Sequence, residues 1–138
     1  RFCAAFPAGD TDVIQEMLGD YLWDSISVRD TAVRRNMKEN FYYGMLLGLL
    51  RSQGSWLVKS NAETGEGYSD ISIQTPDRVG MVIELKYADD GNLEAACREA
   101  LRQIEVKKYA EGLKYRGIKT IIKYGIAFCG KECMVMMA

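Results

Sequence analysis

Histidine is absent from this 138-residue chain. That removes hydrolases with a histidine base, nucleases that hold a metal through imidazole, and the usual zinc hydrolase sites. Any catalysis has to come from Asp, Glu, Lys, Tyr, Ser or Cys, and carboxylate-held magnesium chemistry is among the few hydrolytic designs left. Cysteine is scarce: Cys3, Cys97, Cys129 and Cys133 are too few and too scattered for a secreted disulfide scaffold. Cys129 and Cys133 span an expected hairpin turn. With no histidine and no second close pair, reduced thiols at strand ends are a better reading of them than a structural zinc. No apolar run reaches the length of a membrane span, and the start carries no signal-peptide pattern. Net charge is only −1, so the chain as a whole does not announce a nucleic-acid binder.

With 48% hydrophobic and 27% charged residues, there is enough apolar material for one soluble globular domain with a real core. The chain opens at Arg1 without a methionine and ends on the apolar Cys133-Met134-Val135-Met136-Met137-Ala138. It is therefore expected to be a fragment of something longer or a chain trimmed at its ends, in a cytoplasmic setting.

Periodicity outlines the elements. Asp10 to about Trp23 carries Val13, Ile14, Met17, Leu18, Tyr21 and Leu22 at helical spacing, with Asp10 or Thr11 as cap. Residues 1–30 are read as a helical segment that either approaches from a preceding domain or buttresses the sheet. Residues 31–138 form the main domain. Thr31 to Ser52 reads as its first helix, with Phe41, Met45, Leu46, Leu49 and Leu50 inward and Gly54 after its end. Phe41-Tyr42-Tyr43 is read as packing. Trp56–Ser60, Tyr68–Gln74 and Met81–Tyr87 read as successive strands. Gly65-Glu66-Gly67 joins the first two with no helix start behind it, which argues against a dinucleotide fingerprint. Asn92 to about Tyr115 is a second long helix, capped at Asn92, with Leu93, Ala96, Cys97, Ala100, Leu101 and Ile104 on one face. Thr120–Phe128 and Cys133–Met137 finish as strands. Strands on both sides of a crossover helix give a mixed α/β sheet.

The chemistry concentrates between Asp70 and Lys86. Asp70 opens one apolar strand, and Glu84-Leu85-Lys86 closes another. Alternation puts Glu84 and Lys86 on one face of the strand and turns Leu85 the other way, into a core expected to include Val82. If the two strands form a hairpin across Thr75-Pro76-Asp77-Arg78-Val79-Gly80, Asp70 and Glu84 lie near each other. Two carboxylates about 4 Å apart repel by roughly 4 kcal/mol at an effective dielectric of about 20. Lys86 relieves part of that, and a divalent cation relieves more. Hard oxygen ligands suit magnesium or manganese, and an ammonium beside such an ion can orient a water and steady a developing phosphorane charge. The chemistry indicated is metal-assisted phosphodiester hydrolysis.

An acid, a spacer, then acid-x-Lys resembles the PD-(D/E)XK nuclease superfamily. The surrounding context carries the likeness further: Glu39-Asn40-Phe41-Tyr42-Tyr43-Gly44-Met45-Leu46-Leu47-Gly48-Leu49-Leu50, Ser60-Asn61, Gly65-Glu66-Gly67, Gln103-Ile104-Glu105-Val106-Lys107-Lys108-Tyr109 and Tyr124-Gly125-Ile126-Ala127-Phe128. Together these look like the bacterial branch whose nuclease domain follows an AAA-ATPase-like domain, from about Glu39 to the C-terminus. The resemblance implies a restriction-endonuclease-like αβββαβ core, a central mixed sheet flanked by helices. It also implies a DNA substrate, an ATPase-like partner domain in the full chain, and Mg2+ or Mn2+ as cofactor. Asp70, Glu84 and Lys86 match the catalytic set, and Glu39 matches the helix acid that often completes the metal site. Gln103 and Tyr109 match the glutamine and tyrosine of RecB-like nucleases. Homodimerisation is left open. Basic residues frequent around the Asn61 and Gly67 segment are replaced here by Ala62 and Tyr68.

Spacing adds Lys107, four residues past Gln103 on the same side of the helix and so the better companion for reaching substrate. Glu63 and Glu66 flank a loop and read as solvated. Between Asn92 and Lys123, Arg98, Arg102, Lys107, Lys108, Lys114, Arg116, Lys119 and Lys123 outnumber Glu94, Glu99, Glu105 and Glu111. This local basic face is either suited to a phosphate backbone or an ordinary solvated helix face. The alternative to an enzyme is a non-cleaving nucleic-acid-binding or regulatory module of the same fold.

Overall fold

The structure is a computed structural model that describes residues 2–25, 35–62, 69–107 and 113–138. In chain order it comprises α1 (Thr11–Ser25), α2 (Arg35–Arg51), β1 (Leu57–Ala62), β2 (Ser69–Gln74), β3 (Val79–Tyr87), α3 (Leu93–Lys107), β4 (Thr120–Cys129) and β5 (Glu132–Met137), preceded by a single 3-10 turn at Cys3–Ala5. The strands form one five-stranded sheet in the order β1-β2-β3-β4-β5. All neighbours are antiparallel except β3 and β4. A parallel pair needs a crossover, and α3 supplies it. This is the mixed α/β sheet that the strand and helix order implies, and it agrees with the restriction-endonuclease-like core that the resemblance implies.

Each helix starts or packs for a local reason. Asp10 accepts the Val13 N–H at 3.2 Å and so caps α1; Asn92 does the same for the Ala95 N–H at 3.1 Å at the start of α3. Ile14, Leu18 and Leu22 of α1 are fully buried in the same core as Tyr42, Leu46 and Leu50 of α2 and Ile71, Ile83 and Leu85 of the sheet. The N-terminal segment is thus packed against the sheet, and the Tyr124 hydroxyl ties it to β4 by donating to the Phe6 carbonyl at 2.5 Å. Burial pushes that phenol up to about 12.

Two expectations need correction. On α2 the inward aromatic is Tyr42, 1% exposed, whereas Phe41 is 40% exposed. Tyr42 stacks on Phe128 with centroids 4.6 Å apart and its hydroxyl reaches the Gly130 carbonyl at 2.6 Å. A phenol can bury its ring only where its oxygen finds an acceptor, and this position provides one. Val82 does not share a core with Leu85. It packs with Ile104, Leu113 and Ile118 on the α3 side, while Leu85 joins the cluster under α1 and α2. Alternation alone requires this: Val82, Glu84 and Lys86 have the same parity. The strand is therefore buried on both faces, as a central strand next to a parallel neighbour should be.

The cysteines sit mostly in the interior. Burial pushes the Cys97 thiol up to about 11 and the Cys133 thiol up to about 12, and both remain free thiols. High pKa and burial together make them unreactive. No described helix is long and apolar enough to cross a membrane.

α3 approaches β4 closely because Gly125 has no side chain: a Cβ there would lie 2.5 Å from the Cys97 carbonyl oxygen. Gly125→Ala is expected to push α3 off the sheet and cost about 1–3 kcal/mol, read as a lowered urea midpoint. An unchanged midpoint would mean that the helix has room to spare.

Candidate active site

The β2–β3 hairpin turns at Thr75–Arg78. The Thr75 carbonyl accepts the Arg78 N–H at 3.0 Å, the Thr75 hydroxyl oxygen accepts the Val79 N–H at 3.0 Å, and the Thr75 N–H donates to the Val79 carbonyl at 2.9 Å. This turn sets the register, and the register puts Asp70 directly opposite Glu84. Directly opposite residues project to the same face, with Cβ atoms about 5 Å apart. Lys86, two residues along β3, shares that face. All three are buried: Asp70 and Glu84 are each 1% exposed and Lys86 is 7% exposed. These three buried charges share their sheet face with Val82 and with the polar Ser72 and Lys59.

Tyr43 of α2 braces the pair from the side: its hydroxyl pairs with Ser60 of β1 and lies 3.3 Å from the Asp70 carbonyl oxygen. Glu39, also on α2, reaches the far end of β3, where its Oε1 accepts the Tyr87 N–H at 3.5 Å. α2 packs on the face of Leu85 and Tyr87. Among the described residues, no three His, Cys, Asp or Glu side chains gather as ligands for one ion. The acidic cluster is a pair.

A cleft of about 500 Å³ opens beside Lys86, lined also by Asp89, Asp90, Asn92, Glu99 and Gln103. Of the strand residues carrying the three charges, only Lys86 meets it. Gln103 stands on the cleft wall with its Oε1 buried and without a hydrogen bond among the described residues. A buried acceptor of this kind is rare and suits a water or a ligand donor. Glu99, one turn earlier on α3, was not singled out by sequence, although its spacing from Gln103 places it on the same helix side. The Arg102 hydrogen bond, helped by the Arg102 charge, the Gln103 amide and the Lys86 ammonium, holds Glu99 below the usual glutamate range, against a smaller opposing effect of burial. Glu99, Gln103 and Lys86 line the same cleft.

Lys107 closes α3 one turn past Gln103; its side chain lies outside the described residues, as do Tyr109, Glu63 and Glu66. Among the described residues, the basic face of α3 is largely neutralised. Arg98 pairs with Glu94, Arg102 with Glu99, and Lys123 with Glu105.

The fold is a mixed α/β sheet with a crossover helix, carrying Asp, Glu and Lys on one strand-pair face. A family model described as the PD-(D/E)XK nuclease superfamily matches residues 37–138, and the chain belongs to that superfamily. No curated protein matches the chain.

The donor set fits a hard divalent cation. Magnesium is held by one or two carboxylates and keeps several waters, and two carboxylates on adjacent strands are what Asp70 and Glu84 provide. In the absence of metal, the isosteric Asp70→Asn should raise the melting temperature by a few degrees, because it removes one buried charge from the pair. A variant that melts lower in EDTA would show that the pair is not in electrostatic conflict.

Proposed function

We propose that this domain hydrolyses phosphodiester bonds in DNA with a Mg2+ or Mn2+ ion held by Asp70 and Glu84. The observation that carries this reading is the in-register meeting of the two carboxylates, with Lys86 beside them at the wall of an open cleft. When bound, the ion would supply Lewis-acid polarisation of a phosphoryl oxygen and a more acidic water.

The chain's own groups do the rest. Lys86 Nζ donates hydrogen bonds to the attacking water or to a non-bridging phosphate oxygen as negative charge builds. Gln103 Oε1, an acceptor on the cleft wall, takes a hydrogen bond from that water and fixes its direction of approach. Glu99 holds the Gln103 amide and the Lys86 ammonium in mutual orientation. Glu39 supports the site through the Tyr87 backbone, which steadies the strand end next to Lys86, and so acts as a positioning residue. Lys107 and Tyr109 are proposed to contact the substrate further along. In the full chain the domain would work beside an ATPase-like domain in a bacterial cytoplasm, as a monomer or homodimer.

One observation favours a second reading, a binding or regulatory module that does not cut: Asp70 and Glu84 are each 1% exposed and lie behind the cleft rather than in its wall. The two readings separate on catalysis. Plasmid and single-stranded DNA should be cleaved with magnesium or manganese, and Asp70→Ala or Lys86→Ala should each lower the rate by about a thousandfold or more with the far-ultraviolet dichroism unchanged. Full activity in both variants would remove the mechanism. Absence of cleavage in the parent protein, with DNA binding retained, would select the module.

A further inference from the structure

Charge is sorted along the strand axis. At one end of the sheet lie Glu84, Lys86, Asp89, Asp90 and Glu99. At the other, Arg78, Lys114, Arg116 and Lys119 are all exposed and make no ion pair among the described residues. Two acids lie near them. Asp77 receives the Thr75 hydroxyl, and Glu105, which also feels Lys114, is paired with Lys123. The register gives the separation. Val79 pairs with Thr120 and Lys86 with Ala127, seven residues along each strand, or about 23 Å at roughly 3.3 Å per residue.

The segment that carries three of these cations is pinned at its base. Leu113 and Ile118 are buried with Val82 and Ile104, on the same sheet face as Glu84 and Lys86. They fit over Gly80, where a Cβ would come within 2.8 Å of Ile118 Cγ2 and 3.1 Å of Leu113 Cδ1. Between these anchors the chain folds back on itself: the Arg116 and Ile118 N–H groups donate to the Leu113 carbonyl, both at 3.1 Å, and the Gly117 N–H donates to the Lys114 carbonyl at 2.9 Å. Gly117 has φ +85°, a conformation other residues adopt with strain. At the tip Tyr115 is 95% exposed, with Lys114 and Arg116 on either side. From the active site to this tip, the α3-side face of β1 and β2 carries exposed Lys59, opposite Ser72, and Leu57, 62% exposed.

We propose that Lys114, Tyr115, Arg116 and Lys119, with Arg78, form a second contact for single-stranded DNA, remote from the carboxylate pair. This rests on the nucleic-acid substrate proposed above. A bare aromatic ring between cations on an anchored turn is the combination that binds single strands: the ring stacks on a base and the cations hold the neighbouring phosphates. Duplex DNA hides its bases, so Tyr115 would contribute nothing there. At roughly 3.4 Å per stacked nucleotide, the contact lies on the order of seven nucleotides from the scissile bond.

Binding in EDTA, where no cleavage occurs, tests this by fluorescence anisotropy with labelled oligothymidines. Tyr115→Ala should weaken binding of a strand of about twenty nucleotides by roughly tenfold, and should leave a strand of about four nucleotides, too short to span, unaffected. The triple variant Lys114→Gln, Arg116→Gln, Lys119→Gln should lower the slope of log affinity against log salt by about 2. Parental affinity and salt slope in both variants would overturn the proposal, as would equal losses for long and short strands or an effect confined to duplex DNA. Cleavage by the parent protein with unaltered binding in the variants would overturn this contact and leave the hydrolytic reading standing. Length-dependent binding without cleavage would do the reverse.

Discussion

The register of one hairpin governs this molecule. Asp70 faces Glu84 because the Thr75–Arg78 turn fixes how β2 and β3 align. Slippage by a single residue would turn every side chain of one strand to the other face, sending Ile71 and Ile73 out of the core and the acid into it. The buried apolar set Ile71, Ile73, Met81 and Ile83 therefore enforces the same register that brings the charges together. Stability and site geometry have one cause.

The rest of the fold serves that face. α3 is required as the crossover between parallel β3 and β4, and its close seat on Gly125 carries Gln103 and Glu99 to the wall of the cleft beside Lys86. On the opposite face, α1 and α2 supply the larger core, and Glu39 and Tyr43 reach the backbone of Tyr87 and Asp70. The sheet thus has its larger core on one face and, on the other, the charges beside a smaller core of Val82, Ile104, Leu113 and Ile118.

Much of this was legible in the residue order, for identifiable reasons. Period-two alternation placed Glu84 with Lys86, a turn-forming stretch between two apolar strands implied the hairpin, and Asn92 marked the start of α3. The same alternation puts Val82 with the charges, and assigning it to Leu85's core was a parity error the structure corrects. Phe41 and Tyr42 are adjacent and both aromatic; Tyr42 shares the helical stripe of Leu46 and Leu50, and its hydroxyl finds the Gly130 carbonyl, a contact that joins residues far apart in the chain. Counting basic residues between Asn92 and Lys123 overstated the free positive charge, since Arg98, Arg102 and Lys123 each have an acid partner. Among the described residues, the unpaired cations of this stretch are at the far end, around Tyr115.

The central claim is that Asp70 and Glu84 together grip one divalent cation. Crystals soaked in manganese and measured for anomalous scattering test it directly. The account predicts one strong peak within coordination distance, about 2.2 Å, of an oxygen from each carboxylate. A peak elsewhere, or none between β2 and β3 with both side chains ordered, would contradict it.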